Sequence, residues 1–187
     1  MTAPGTTAPG TTAPGTPDAA VATRSYFLAG TMQGARTGAD LVDQSYRERL
    51  TATLLARRPG AVVHDPGVVM AEWLAAHPAD VRAAHAALAD RTVLHHARLA
   101  PELRELTALF HRLTELAAAS DVCVAWLPGH EPSMGTAAEM LSAHRAGRTV
   151  VSITDMRQNL AVLSCSTVIL PDLDAFAEWL DEGGDSA

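Results

Sequence analysis

From Arg24 onward, apolar positions switch between short continuous runs and a helical spacing, and the switches predict strands and helices in turn. Tyr26 to Ala29 reads as a first strand, followed by the turn Gly30-Thr31-Met32-Gln33-Gly34-Ala35-Arg36 and a helix from about Asp40 to Arg57. Val62 to His64 is a second short strand. Between Val68 and Ala119 the chain is rich in Ala, Leu and Arg at helical spacing, broken near Pro78 and Pro101, which predicts two or three helices. The run Val122 to Trp126, ended by Pro128-Gly129, has the length and β-branched content of a strand buried on both faces. A helix from Ser133 to Arg145, a strand from Thr149 to Ile153, a short helical piece near Met156 to Leu163, a strand from Thr167 to Leu170 and a helix from Leu173 to Leu180 complete the pattern.

Strands alternating with helices imply parallel pairing through right-handed crossovers. The expected fold is therefore α/β: a flavodoxin-like, doubly wound, five-stranded parallel sheet with an enlarged helical connection before the third strand. The excess in that connection would form a lid or a subunit contact. The domain is expected over residues 23–182. Residues 1–22, which begin with repeats of T-T-A-P-G, read as a disordered low-complexity tail, and residues 183–187 as a flexible C-terminus.

Composition then narrows the partner. A formal net charge of -7 and a pI near 5.5 leave no basic stripe for a nucleic-acid polymer, so a small molecule is expected. The first seventeen residues hold no apolar run long enough for a signal peptide or a membrane helix. All 14 basic residues are Arg, which removes Schiff-base lysines and lysine-dependent phosphate loops and leaves cationic work to Arg. Cys123 and Cys165 fall in or beside strands without metal spacing and read as reduced core residues, which places the protein in the cytoplasm. His85, His95, His96 and His111 lack metalloprotease spacing, so neither a metal nor a cofactor is expected.

Candidate chemistry concentrates between Ser120 and Ile153, a strand, glycine-containing loop, helix and strand that set Glu139 just inside a helix. Unpaired amides at that helix start attract anions or sugar hydroxyls, and the carboxyl end of a parallel strand is where open α/β sheets bind ligands. Ser133 can serve as helix cap, and Glu139 can simply complement the positive helix end, worth under about 1 kcal/mol.

Three segments carry a resemblance: F-L-A-G-T-M-Q-G-A-R, S-M-G-T-A-A-E and A-G-R-T-V-V-S-I. In order and spacing they resemble the nucleoside 2-deoxyribosyltransferase superfamily, which includes deoxyribosyltransferases and nucleotide N-glycosidases. The resemblance extends from Arg24 to Leu180, densest in those segments. It implies that Glu139 is the nucleophile at the anomeric carbon, giving a glycosyl-enzyme intermediate that water or a second base resolves. Ser133, six residues earlier, stands where the N-glycosidases have a serine that helps hold the 5′-phosphate and the transferases generally an Asp. Gly135 matches the family's glycine after that serine. Gly30, Gln33, Gly34 and Arg36 match its glycine and polar positions near base and phosphate, although Arg36 can equally be solvated. Asn159 resembles an asparagine that reaches across a dimer interface to the neighbouring sugar, which implies a homodimer or higher homo-oligomer; its alternative is an ordinary turn residue.

Two positions depart from the family pattern. Counting back eight from Asp121, where the family has an Asp, reaches Leu113, so the acid for the leaving base is open, with His111 or Glu115 as replacements. The usual strand tyrosine aligns with Phe27, and Tyr26 serves only if the alignment slips by one. The function this implies is an N-glycosidase acting on a nucleoside 5′-monophosphate or nucleoside. The alternatives are a base-exchanging deoxyribosyltransferase and a catalytically silent nucleotide-binding module. A phosphoribohydrolase of the Lonely-guy type, loosely echoed from Pro128 to Glu139, has the wrong spacing.

Overall fold

The computed structural model describes residues 23–32, 43–76 and 80–186. Five strands form one all-parallel sheet in the order β2-β1-β3-β4-β5: β1 (Ser25–Gly30), β2 (Val62–His64), β3 (Val122–Trp126), β4 (Thr149–Ile153) and β5 (Val168–Leu170). This is a flavodoxin-like α/β fold. β3 is buried along its whole length, as its unbroken apolar run requires of a central strand covered on both faces.

Among the described residues there are seven α-helices: α1 (Ser45–Arg57), α2 (Pro66–Ala76), α3 (Asp80–Ala86), α4 (Pro101–Ala119), α5 (Met134–Arg145), α6 (Leu160–Cys165) and α7 (Leu173–Asp181). The enlarged connection before β3 is thus α2, α3 and α4, and Pro101 starts α4 at a position where its missing N–H costs nothing. Alternation along β1 divides the core. Tyr26 and Leu28 pack with Leu50 and Leu54 of α1 and Phe176 and Leu180 of α7. Phe27 and Ala29 pack on the other face with Leu109 and Leu113 of α4 and Met140 and Ala143 of α5. The helical piece expected at Met156 to Leu163 instead begins at Leu160, because Asn159 Oδ1 accepts from the amides of Ala161 (3.0 Å) and Val162 (3.4 Å) and caps it there.

The N-terminal end of the sheet is closed by two carboxylates. Asp121 accepts from the Ser25 amide (2.8 Å) and hydroxyl (2.9 Å), and its own amide donates to the oxygen of that hydroxyl (3.0 Å), which locks β1 to β3; the Ser25 donors hold its carboxyl below the usual range. Of residues 183–187, expected as a flexible end, Ala187 lies outside the described residues and Asp185 is packed against the domain. Residues Gly184–Ser186 make a 3-10 turn in which Asp185 is 1% exposed. Tyr26 donates its hydroxyl to this carboxylate, and Arg58 grips it through Nε (2.9 Å) and Nη2 (2.7 Å). Burial alone would raise Asp185, but these donors hold it low, while burial and Asp185 together push the Tyr26 hydroxyl up. Among the described residues no helix is long and apolar enough to cross a membrane.

The Asp185 turn is therefore part of the folded domain. Asp185→Ala leaves a buried tyrosine hydroxyl and a half-buried guanidinium without their acceptor, and should lower unfolding stability by about 2 kcal/mol in urea titrations. A loss below about 0.5 kcal/mol, the range of neutral surface changes, would contradict this role.

Candidate functional site

The opposite, C-terminal edge of the sheet is organised by Arg47. β2 stops early: its last pairing is Phe27 with His64, so β1 carbonyls beyond that point lack a neighbouring strand on that side. Arg47 of α1, 4% exposed, takes their place. Its Nη1 donates to the Leu28 carbonyl (2.8 Å) and to Asp65 Oδ1 (2.9 Å), Nη2 to the Gly30 carbonyl (2.9 Å), and Nε to Gln44 Oε1 (2.8 Å). A buried guanidinium is tolerated because every nitrogen has an acceptor and the charge has a counter-ion. Asp65, directly after β2, uses the same Oδ1 to accept from the Gly67 amide (2.8 Å), capping the first turn of α2.

Tyr46 stands beside this clamp. Its hydroxyl donates to the Thr31 carbonyl (3.0 Å), its ring meets Trp126 edge-on at 5.5 Å, and burial pushes it up to about 12. Gly30 is needed for this arrangement, since a Cβ there would strike the Tyr46 hydroxyl and ring.

Glu139 enters from the other side of β1, on the inner face of α5 with Thr136, Met140 and Ala143. It is 5% exposed, and among the described residues its carboxyl makes no hydrogen bond or ion pair. Burial pushes it up to about 8; the field of Arg47 pulls it down by less, and Asp65 adds to the rise. Arg47 cannot offset the burial because its own charge is already spent on Asp65. Glu139 thus carries a proton at neutral pH, and its field reaches Cys123 on β3, whose thiol is pushed up mainly by burial. One helical turn earlier, the buried Thr136 Oγ1 also has no partner among the described residues. Thr136 and Glu139, three residues apart, thus share one helix face at the C-terminal edge of the sheet, where open α/β sheets bind ligands, and the buried Thr136 hydroxyl there is free to take a partner from outside.

Ser133 sits at the N-cap of α5, its Oγ accepting from the Thr136 amide (3.2 Å). Gly135 is adjacent, but a Cβ there would meet Phe110 at an ordinary 3.6 Å, so internal packing does not demand glycine. Asn159 is exposed and lines, with Leu127, Ser133, Met140 and Met156, a cleft of about 180 Å³ between α5 and α6. Between β3 and α5, Gly129 and His130 both take positive φ (69° and 58°), and the His130 ring bonds Asp155 (3.0 Å), tying the loops after β3 and β4 together. Gln33, Gly34 and Arg36 lie outside the described residues.

Two expected catalytic residues are not brought to Glu139. Tyr26 has its hydroxyl on Asp185 at the opposite end of the sheet and packs on the opposite face, because its position in β1 differs in parity from Phe27. His111 lies solvent-exposed on α4, its ring beside Phe110. What the sequence pattern missed is Arg47, Asp65 and Thr136. The pair Asp65-Pro66 is a helix-start signal; nothing local marks Arg47, whose acceptors other than Gln44 lie 17 to 19 residues away.

No family model and no curated protein matches the chain. Among solved structures it is similar to a conserved protein from Enterococcus faecalis V583, at 18% identity and a TM-score of 0.48, over 87% of this chain and 99% of that chain.

Two outcomes follow from this geometry. Gly30→Ala should cost about 1–3 kcal/mol in denaturant titrations, and adding Tyr46→Phe should recover part of it by removing the clashing oxygen; equal losses with and without Tyr46→Phe would contradict the close approach. Glu139, raised from 4.5 in an unfolded chain to about 8 when folded, contributes stability that is full below pH 4.5 and lost as pH rises to about 8. Within that window the group should lower stability by up to about 1.4 kcal/mol per pH unit, and Glu139→Gln should flatten the profile. Parallel melting profiles for the two proteins would contradict the burial assignment.

Proposed function

We propose that this protein cleaves the N-glycosidic bond of a nucleoside 5′-monophosphate or nucleoside, with Glu139 as nucleophile. The observation that carries this reading is the buried Glu139 carboxyl without a partner among the described residues, placed at the C-terminal edge of a parallel sheet. A largely desolvated carboxylate is poorly matched to an empty site and well matched to an oxocarbenium-like centre, so its charge is best compensated in the transition state. In its ionised form Glu139 attacks the anomeric carbon. The carbon–nitrogen bond breaks, the base leaves with the bonding pair and takes up a proton, and a glycosyl ester remains. Water then attacks the same carbon, returning the carboxylate and releasing the sugar and one proton.

Ser133 supports the monophosphate form of the substrate. Its oxygen accepts from the Thr136 amide, so its hydroxyl hydrogen is available to a phosphate oxygen at the N-terminus of the twelve-residue α5. Base exchange in place of hydrolysis would use the same ester with a second base as acceptor. Asn159 fits a homo-oligomeric site: its Oδ1 caps α6 while its amide faces solvent beside the Ser133 cleft. Free, buried Cys123 and Cys165 suit a reducing compartment, for which the cytoplasm is our assignment.

One observation favours a second reading. A Glu139 protonated at rest is a hydrogen-bond donor, which suits a module that binds nucleotides without turnover. Mass-spectrometric detection of free base from a panel of ribo- and deoxyribonucleosides and their 5′-monophosphates separates the two. Hydrolysis predicts release from a monophosphate that Glu139→Ala reduces at least about 1,000-fold, with kcat/KM rising with pH toward a plateau above about 8 as Glu139 ionises. Release undiminished in Glu139→Ala would refute the role of Glu139. Tight binding with no release, even with an acceptor base present, would establish the binding module instead.

A further inference from the structure

The Arg47 clamp holds a second carboxylate next to the one assigned as nucleophile. Asp65 follows β2 at the same edge of the sheet as Glu139, and Arg47 ties it to the Leu28 and Gly30 carbonyls of β1, the strand against which α5 packs, so that its charge adds to the rise of the Glu139 carboxyl. Only one oxygen of Asp65 is used by the protein: Oδ1 accepts from both Arg47 and the Gly67 amide, while Oδ2 has no hydrogen-bond partner among the described residues. The side chain is held in place by these two bonds and the ion pair, yet 17% of it remains accessible. A fixed carboxylate with one free, partly accessible oxygen is a prepared hydrogen-bond acceptor.

The identity of its donor follows from where Glu139 must act, so this step rests on the reading given above. A nucleophile bonding to the anomeric carbon brings its surroundings against that carbon's three neighbours: the ring oxygen, the base nitrogen and the next sugar carbon. The ring oxygen and the base nitrogen in the glycosidic bond carry no hydrogen, and a carboxylate facing either would meet only lone pairs. The hydroxyl on the adjacent sugar carbon is the one donor in reach. We propose that Asp65 Oδ2 accepts a hydrogen bond from this 2′-hydroxyl and makes the site select ribo- over 2′-deoxyribo-substrates. A hydrogen bond to that hydroxyl strengthens as charge develops on the sugar, so the selection is exerted on turnover. It also runs against the intrinsic chemistry, because an electron-withdrawing 2′-hydroxyl makes the ribosidic bond the harder one to break.

The test compares kcat/KM for a ribonucleoside and a 2′-deoxyribonucleoside 5′-monophosphate bearing the same base, in wild type, Asp65→Asn and Asp65→Ala. The wild type should favour the ribonucleotide by about 10- to 100-fold, since a site built around a substrate hydroxyl is left with an unpaired acceptor by the analogue lacking it. Asp65→Ala should bring the ratio within about threefold of unity while deoxyribonucleotide cleavage persists. Asp65→Asn, whose carbonyl can keep the bonds from Arg47 and Gly67 while an amide replaces Oδ2, should give an intermediate ratio. A purely structural role for Asp65 would lower both rates together and leave the ratio unchanged, and that result overturns the proposal, as does a wild type that cleaves both sugars equally. If the wild type releases no base from either substrate, the nucleophile reading fails and this inference falls with it. If Glu139→Ala abolishes release but the ratio ignores Asp65, only the inference fails.

Discussion

A buried guanidinium that must satisfy two strand carbonyls sets the terms for the rest of the site. Because β2 ends at His64, the Leu28 and Gly30 carbonyls of β1 take their hydrogen bonds from Arg47. That charge has to be neutralised where it is buried, and Asp65 does so across 2.9 Å. The pair is then electrically closed, which leaves nothing to balance a further carboxyl nearby. Glu139 is pushed up to about 8 chiefly by its own burial, and Arg47 offsets this only in part. The unusual state of Glu139 is thus traceable to a short edge strand two elements away.

The two ends of the sheet are finished differently, and the difference separates stability from function. At the N-terminal end both carboxylates have found partners within the chain: Asp121 with Ser25, and Asp185 with Tyr26 and Arg58. At the C-terminal end Thr136 Oγ1, Glu139 and one oxygen of Asp65 stay open among the described residues. Native proteins leave few buried polar groups unsatisfied, and the Thr136 hydroxyl beside two carboxyls at the C-terminal edge of an α/β sheet is open to a group that arrives from solvent.

The strands and their order were legible because their signals are local. The unbroken apolar run of β3 and the alternation of strand and helix lead to a parallel sheet without any knowledge of contacts. The helix that carries Glu139 was legible for the same reason, with Ser133 as its N-cap six residues earlier; a nucleophile's role for Glu139 came only from the family resemblance. What was hidden depends on pairs distant in sequence. Arg47 looks like any surface arginine until β2 is seen to stop short, and Asp185 looks like tail until Tyr26 and Arg58 are found around it. Tyr26 misled because one residue of register along a strand exchanges its two faces. His111 sits on the exposed face of α4, whereas Leu109 and Leu113, two positions to either side, face the core.

As the proposed nucleophile, the Glu139 carboxylate would form a covalent bond to the sugar. The most direct measurement is the mass of the intact protein after incubation with a nucleotide whose 2′-position carries fluorine, which disfavours the oxocarbenium-like transition states and prolongs any glycosyl ester. The account predicts a mass increase equal to the fluorosugar phosphate, localised by fragmentation to Glu139. Release of base with no added mass, or an adduct on another side chain, would contradict it.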